Sequence, residues 1–280
     1  MKKIYLLPNI ITAFGLTCGL FVIFKINMVN AGDVTPDILI AITGILILAA
    51  FADLLDGAIA RAMRAESAFG TLFDSLADAI TFGVAPAVVV LKTLSLKPGT
   101  ELSFLMTGAA MVYAVCGVLR LIRYNITASL EETEVNLIKS NKKNFTGLPI
   151  PAAAGAIISL NMFLFTCPLK YICELDNSTR TLILFFGFIL IGYLMVSHWR
   201  FPSLKALRIR VASFRMIFLT VLVTVFTFYG ILNHFSFVFF IGCWAYVIIS
   251  FILSLIRLII GKKLKTLEDF EPDSEDFEEE

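Results

Sequence analysis

Long stretches without a charged residue constrain this chain more than any other feature of its sequence. Residues 4–24 form one such stretch of 21 residues, and residues 216–256 form another of 41 that Asn233 and His234 divide. A membrane-spanning helix needs about 20 consecutive, mainly apolar residues. The chain is 58% hydrophobic and 16% charged, whereas soluble domains are about 45–50% apolar and about 25% charged. This composition excludes an ordinary cytosolic enzyme, a disordered protein and a nucleic-acid-binding protein.

Eight membrane helices are predicted from these stretches, which makes the expected fold an all-α polytopic bundle. The shorter stretches at 38–52 and 79–91 reach about 20 residues only if their helices also include neighbouring aspartates. The stretches that we interpret as spans cover residues 4–24, 38–56, 74–91, 102–119, 144–169 and 181–199, with two more between 216 and 256.

The distribution of charge predicts how these helices are oriented. Lysine and arginine concentrate at the N-terminus, in the loops after every second span and after the last span. The positive-inside rule therefore places both termini in the cytoplasm. The last thirteen residues, 268–280, contain nine of the 22 acidic residues, and we interpret them as a solvated acidic tail.

Four aspartates fall inside the two short spans. A charged side chain at the centre of a membrane helix costs about 2.5–3.5 kcal/mol, so such residues usually have a function. Asp53 and Asp56 lie three residues apart, and Asp74 and Asp78 lie four apart, so each pair shares a helix face. Because eight residues separate the two segments, both pairs should meet near the cytoplasmic ends of neighbouring antiparallel helices.

Carboxylates at this density need positive charge nearby. Two divalent cations would offset four carboxylates, and oxygen ligands without histidine or cysteine favour a hard ion such as Mg²⁺, Mn²⁺ or Ca²⁺. Gly57 lies one turn from Asp53, and Gly70 lies four residues before Asp74. Each glycine leaves room for a bulky ligand or for close helix packing.

The complete pattern resembles the signature of the CDP-alcohol phosphotransferase family. It comprises Asp53, Asp56, Gly57, Ala60 and Arg61, then, after eight residues, Gly70, Asp74 and Asp78. Further segments are similar to the bacterial membrane-type branch that transfers a phosphatidyl group from CDP-diacylglycerol to L-serine. These segments lie at residues 7–9, 81–87, 120–125, 145–155 and 195–205.

This resemblance implies a chemistry and a set of site residues. Asp53, Asp56, Asp74 and Asp78 would bind divalent metal, Mg²⁺ or Mn²⁺ and two ions in all, and Asp78 would also act as general base. CDP-diacylglycerol would be bound by Gly57, Ala60, Arg61, Ser67 and Gly70. The resemblance further implies a bacterial cytoplasmic membrane, a site that faces the cytoplasm, and a homodimer.

The acceptor is less well specified by the sequence than the donor. Arg120 and Arg123 lie three residues apart at the cytoplasmic end of the fourth span, where an arginine could bind the carboxylate of serine, with Asn125 as a further contact. Tyr124 and Thr146 are additional candidates, whereas His198 and Trp199 fit an interfacial position. Both arginines also fit the simpler role of positive-inside anchors.

Three alternatives are open at this point. The first is a transferase that uses glycerol 3-phosphate or inositol as acceptor. The second is a cation transporter, although transporters carry their acidic residues near the midplane and show internal repeats. The third is a non-catalytic scaffold.

We expect residues 1–210 to form the catalytic domain, residues 211–261 two additional helices, and residues 262–280 a cytoplasmic tail.

Overall fold

The computed structural model describes residues 6–30, 32–63, 67–133, 144–166, 176–197, 200–202, 230 and 233–268. Nearly all of them are helical. The helices are α1 (Leu6–Met28), α2 (Pro36–Met63), α3 (Ala68–Asp78), α4 (Ala85–Leu94), α5 (Glu101–Thr133), α6 (Ile150–Thr166), α7 (Asn177–Val196) and α8 (Phe235–Glu268). A π-helical turn, Ala79–Val84, joins α3 to α4, so these three elements form one continuous helical segment.

Six helical segments in the described part of the chain are long and apolar enough to cross a membrane. They are Leu7–Met28, Pro36–Ala60, Phe69–Leu94, Glu101–Ile126, Asn177–Val196 and Phe235–Ile256. The helical membrane bundle is thus confirmed, and both short apolar stretches do continue through their aspartates. The expected fifth span is a shorter helix, α6, of 17 residues. The expected seventh span lies mainly outside the described residues, and the cytoplasmic position of the termini stays a prediction.

Helix α6 is the centre of the bundle. It begins at Ile150, with Pro151 in its first turn, where proline costs no hydrogen bond. Most of its side chains are buried, because α2, α4, α7 and α8 all pack around it. On either side, α1 packs along α2, and α5 packs along α7. Large apolar side chains on the outer faces, such as Phe104 at 82% exposure, suit contact with lipid.

A short two-stranded ribbon lies beside this bundle. Strand β1 (Asn144–Thr146) pairs antiparallel with β2 (Arg200–Pro202), and Phe145 lies opposite Phe201. These strands are not predicted from the sequence, because three residues are too few to show an alternating pattern. The ribbon ties the segment before α6 to the segment after α7.

The contact between α1 and the π turn generates a prediction about stability. A Cβ atom at Gly19 would lie 2.8 Å from Thr81 Cα, which real Cβ atoms essentially never do, so the two elements would have to separate. We expect Gly19→Ala to destabilise the protein by about 1–3 kcal/mol, the usual cost of overpacking, measured as a lower melting temperature in detergent. Gly44→Ala on α2 is the control, since no atom lies within 4 Å of its added Cβ. Equal melting temperatures for both variants would contradict this packing.

Candidate active site

Three carboxylates converge where α2 and α3 face each other. One carboxylate oxygen from each of Asp53, Asp56 and Asp74 lies within 4.8 Å of the other two. Asp78 lines the same small cavity as these three residues. Asp56 is buried, and the other three are partly buried. The structure therefore brings together all four aspartates that the sequence singled out.

Helix α1 assembles this cluster. The sequence predicts α2 and α3 as directly paired neighbours, but each of them packs more extensively on α1 than on the other. Helix α1 thus lies against both aspartate-bearing helices and contributes Thr12 to the cavity. A third helix at the site explains how two short acidic segments are held close together without packing tightly on each other.

Thr12 is a site residue that sequence reasoning missed. It is buried, and its hydroxyl donates to Asp56 Oδ2 at 2.7 Å, with the Pro8 carbonyl oxygen 3.1 Å away as a second acceptor. A hydroxyl has one proton, so these two acceptors share it. The bond holds Oδ2 of Asp56 in place at the edge of the cavity. The only signal in the sequence was a polar residue within the first apolar stretch, one turn after Pro8.

The oxygen cluster is suited to a divalent cation. Three carboxylates at this separation repel one another in an apolar setting, and a bound cation removes that repulsion. The donor set contains oxygen only, which is typical of Mg²⁺ and Mn²⁺ sites. The residues present therefore fit a divalent metal, with Asp53, Asp56 and Asp74 as its ligands.

Two of the five residues assigned to the nucleotide, Ser67 and Gly70, lie at the start of α3. Ser67 caps this helix, and its Oγ accepts a hydrogen bond from the Gly70 backbone N–H at 3.0 Å. A Cβ at Gly70 would lie 3.1 Å from Ser67 Oγ and 3.2 Å from Asn9 Oδ1. The space at Gly70 is therefore closed by protein, and glycine there allows α1 to approach α3. Gly57 and Ala60 lie partly buried on α2, whereas the side chain of Arg61 lies outside the described residues.

The residues assigned to the acceptor have separate surroundings. Arg120 on α5 is 9% exposed and lies within electrostatic range of Asp78 and Asp53. Its Nε has no hydrogen-bond partner among the described residues. Arg123, by contrast, donates through Nη1 to the Val196 carbonyl oxygen at 2.8 Å and through Nη2 to the Ser197 carbonyl oxygen at 3.3 Å. Arg120 thus faces the carboxylates, while Arg123 caps the C-terminal end of α7.

Asn125 connects α5 to α3. Its Nδ2 donates to Ser75 Oγ at 2.9 Å, and its buried Oδ1 has no partner among the described residues. Ser75 directly follows Asp74, so Asn125 ties α5 to the turn of α3 that carries Asp74. Tyr124 is mainly exposed. The side chain of Thr146 and both His198 and Trp199 lie outside the described residues.

Comparison with known proteins identifies the family. The model of the CDP-alcohol phosphatidyltransferase family matches residues 5–195, more than half of the chain. The chain belongs to the CDP-alcohol phosphatidyltransferase family. All four aspartates, Thr12 and Arg120 lie within the matched segment, whereas α8 lies beyond it.

Several curated relatives of this CDP-alcohol phosphatidyltransferase have serine in their names. The CDP-diacylglycerol–serine O-phosphatidyltransferase of Helicobacter pylori is 30% identical over 211 residues, which cover 74% of this chain and 76% of the relative. The enzyme of the same name from Bacillus subtilis is 30% identical over 199 residues, covering 71% of this chain and 91% of the relative. The archaetidylserine synthase of Methanothermobacter thermautotrophicus is 34% identical over 143 residues, or 48% of this chain and 54% of the relative.

The contact between Thr12 and Asp56 can be tested by metal binding. Thr12→Val keeps the shape of the side chain but removes the donor, so Asp56 loses the bond that orients it. A hydrogen bond to a charged group contributes about 1.5–3 kcal/mol, and we expect Mn²⁺ affinity to fall by about tenfold or more. Binding is measured by electron paramagnetic resonance of free Mn²⁺ with protein in detergent. Thr12→Ser should retain most of the affinity, and an unchanged affinity in Thr12→Val would show that Asp56 needs no such support.

Proposed function

We propose that this phosphatidyltransferase transfers the phosphatidyl group of CDP-diacylglycerol to the hydroxyl of L-serine and releases CMP. The observation that carries the proposal is the convergence of three carboxylates within 4.8 Å in a chain of this family. The relatives described above supply the acceptor, since the name of each specifies serine. The donor's acyl chains would remain in lipid, with its pyrophosphate at the carboxylate cluster.

The proposed site faces the cytoplasm of a bacterial inner membrane. Arg120 and Arg123 lie at the same end of the bundle as the aspartates, and clustered basic residues favour the cytoplasmic side. Residues 1–210 would form the catalytic domain, followed by two further membrane helices and the tail. Of this C-terminal part, the structure describes α8 and little else.

In the proposed reaction, the hydroxyl oxygen of serine attacks the phosphorus that carries diacylglycerol. A bond forms between that oxygen and phosphorus, and the bond from phosphorus to the CMP oxygen breaks, so CMP leaves with the electron pair. Asp78 takes the proton from the serine hydroxyl. Asp53, Asp56 and Asp74, together with Asp78, would hold divalent metal, Mg²⁺ or Mn²⁺, which neutralises charge on the attacking and leaving oxygens.

The proposed donor contacts rest on the family signature, and the proposed acceptor contacts rest on the surroundings of Arg120 and Asn125. Gly57, Ala60, Arg61, Ser67 and Gly70 would surround the nucleotide of the donor. Arg120 would bind the carboxylate of serine, since a guanidinium binds two oxygens at once. Arg123 would act indirectly, because its Nη atoms hold the end of α7. The Oδ1 of Asn125, which has no partner among the described residues, would accept a hydrogen bond from the ammonium group of serine.

A comparison of acceptors tests the proposed reaction together with the role of Arg120. Purified protein with CDP-diacylglycerol and Mn²⁺ should release CMP with serine and not with glycerol 3-phosphate or inositol. In Arg120→Lys the side chain can no longer bind both oxygens of the serine carboxylate. We therefore expect the KM for serine to rise by about tenfold, which corresponds to about 1.4 kcal/mol. Arg123→Lys is the matched control and should leave that KM nearly unchanged. Faster transfer to either other alcohol would reject serine as the acceptor, and equal KM values in both variants would reject Arg120 as its ligand.

Replacement by asparagine separates the roles of Asp78 and Asp74. General-base assistance contributes about 10²–10⁴-fold, so Asp78→Asn should lower kcat by that factor while Mn²⁺ and CDP-diacylglycerol still bind. Asp74→Asn should weaken Mn²⁺ binding first, and excess Mn²⁺ should restore part of its activity. The measurements are CMP release at saturating serine and donor binding by calorimetry. If Asp78→Asn lowers the affinity for CDP-diacylglycerol by the same factor as kcat, Asp78 is chiefly a metal ligand.

A further inference from the structure

The helix that carries Asp74 and Asp78 changes its winding directly after Asp78. From Ala79 to Val84 it forms a π turn, in which the Ala85 backbone N–H donates to the Ile80 carbonyl oxygen five residues earlier. A regular α-helix would place this bond four residues back. Short π turns of this kind often occur at functional sites, and this one begins directly after the residue proposed as general base.

Pro86 accounts for the change in winding. Proline has no backbone N–H, and its ring crowds the carbonyl group four residues earlier, which here belongs to Phe82. The wider π turn relieves this crowding. Because Pro86 has no N–H, the Phe82 carbonyl lacks the donor that a regular α-helix would supply at this position.

Tyr113 of α5 supplies the missing donor. Its hydroxyl donates to the Phe82 carbonyl oxygen at 2.8 Å, and the residue is 0% exposed. The ring of Tyr113 packs edge-on against Phe188 of α7, with ring centroids 5.2 Å apart. A tyrosine so enclosed has little freedom to move, so it fixes the position of the carbonyl that it binds.

The π turn also forms part of the site. Thr81 and Phe82 line the cavity that contains the four aspartates. On the opposite side from α5, Thr81 contacts Gly19 of α1, and its hydroxyl lies 3.5 Å from the Gly15 carbonyl oxygen. The turn is therefore held between α1 and α5, immediately next to Asp78.

We propose that Tyr113 is a positioning residue that sets the direction of the Asp78 carboxylate by fixing the π turn after it. Successive residues of an α-helix differ by about 100° around its axis, so a change of register in the π turn rotates α3, which carries Asp78, relative to α4. Tyr113 does not line the cavity, and its effect passes through the Phe82 backbone. The role of Asp78 here rests on the proposed function.

Kinetics of Tyr113→Phe in the full-length protein test this inference. The variant keeps the ring and removes only the hydroxyl, and we expect kcat for CMP release to fall by about tenfold or more, because small misplacement of a reacting group is costly. The KM values for serine and CDP-diacylglycerol should change by less than about twofold. Thr43→Val is the matched control, since it removes another buried hydroxyl, which donates to the Leu39 carbonyl oxygen at 2.7 Å on α2. Its kcat should equal that of the unaltered protein.

The double variant with Pro86→Ala separates positioning from a general loss of stability. Alanine at this position restores an N–H for the Phe82 carbonyl, so the turn can return to α-helical winding, and we expect kcat to fall in this variant as well. Adding Tyr113→Phe to Pro86→Ala should then lower kcat by less than about twofold further, because the hydroxyl is no longer the carbonyl's replacement donor. Such non-additivity is expected only where two residues act on one element.

Three outcomes would overturn the inference. One is an unchanged kcat in Tyr113→Phe, and another is a full tenfold loss that recurs in the Pro86→Ala background. The third is a fall in kcat that Thr43→Val reproduces. In each of these cases the unaltered protein still releases CMP, so the proposed function stands. If the unaltered protein releases no CMP with any acceptor, the proposed function fails and the inference fails with it.

Discussion

Repulsion among four carboxylates in an apolar bundle is the constraint on which the rest of this structure depends. Three of them lie within 4.8 Å of one another, and such an arrangement is costly unless positive charge or hydrogen-bond donors accompany it. The protein supplies a donor from α1 through Thr12 and a cation from α5 through Arg120. A divalent metal supplies the remaining charge in the reaction that we propose.

The helices around the cluster are arranged to hold these partners in place. Helix α1 lies against both acidic segments, and its small residue Gly19 lets the π turn come close. On the other side, Tyr113 holds the π turn, and Arg123 joins α5 to the end of α7. The central helix α6 gives these elements a common support, because α2, α4, α7 and α8 all pack on it.

The sequence predicted the aspartate cluster because its spacing is periodic and its cost in a membrane is high. It could not predict Thr12 or Tyr113, since one polar residue within an apolar helix has no pattern of its own. The π turn could not be predicted from the sequence, because a helix with a proline inside can kink, end or widen. Tertiary packing selects among these outcomes. Arg120 and Arg123 looked equivalent by spacing, and only the contacts with Val196 and Ser197 distinguish them.

Mn²⁺ binding by the purified, substrate-free protein tests the central claim most directly. If the carboxylates form a metal site, electron paramagnetic resonance should show saturable binding of Mn²⁺ that Mg²⁺ displaces. Asp53→Ala should remove that binding and leave the protein folded in detergent, since an embedded acid is unfavourable for insertion. Binding that does not saturate, or that persists unchanged in Asp53→Ala, would contradict the account.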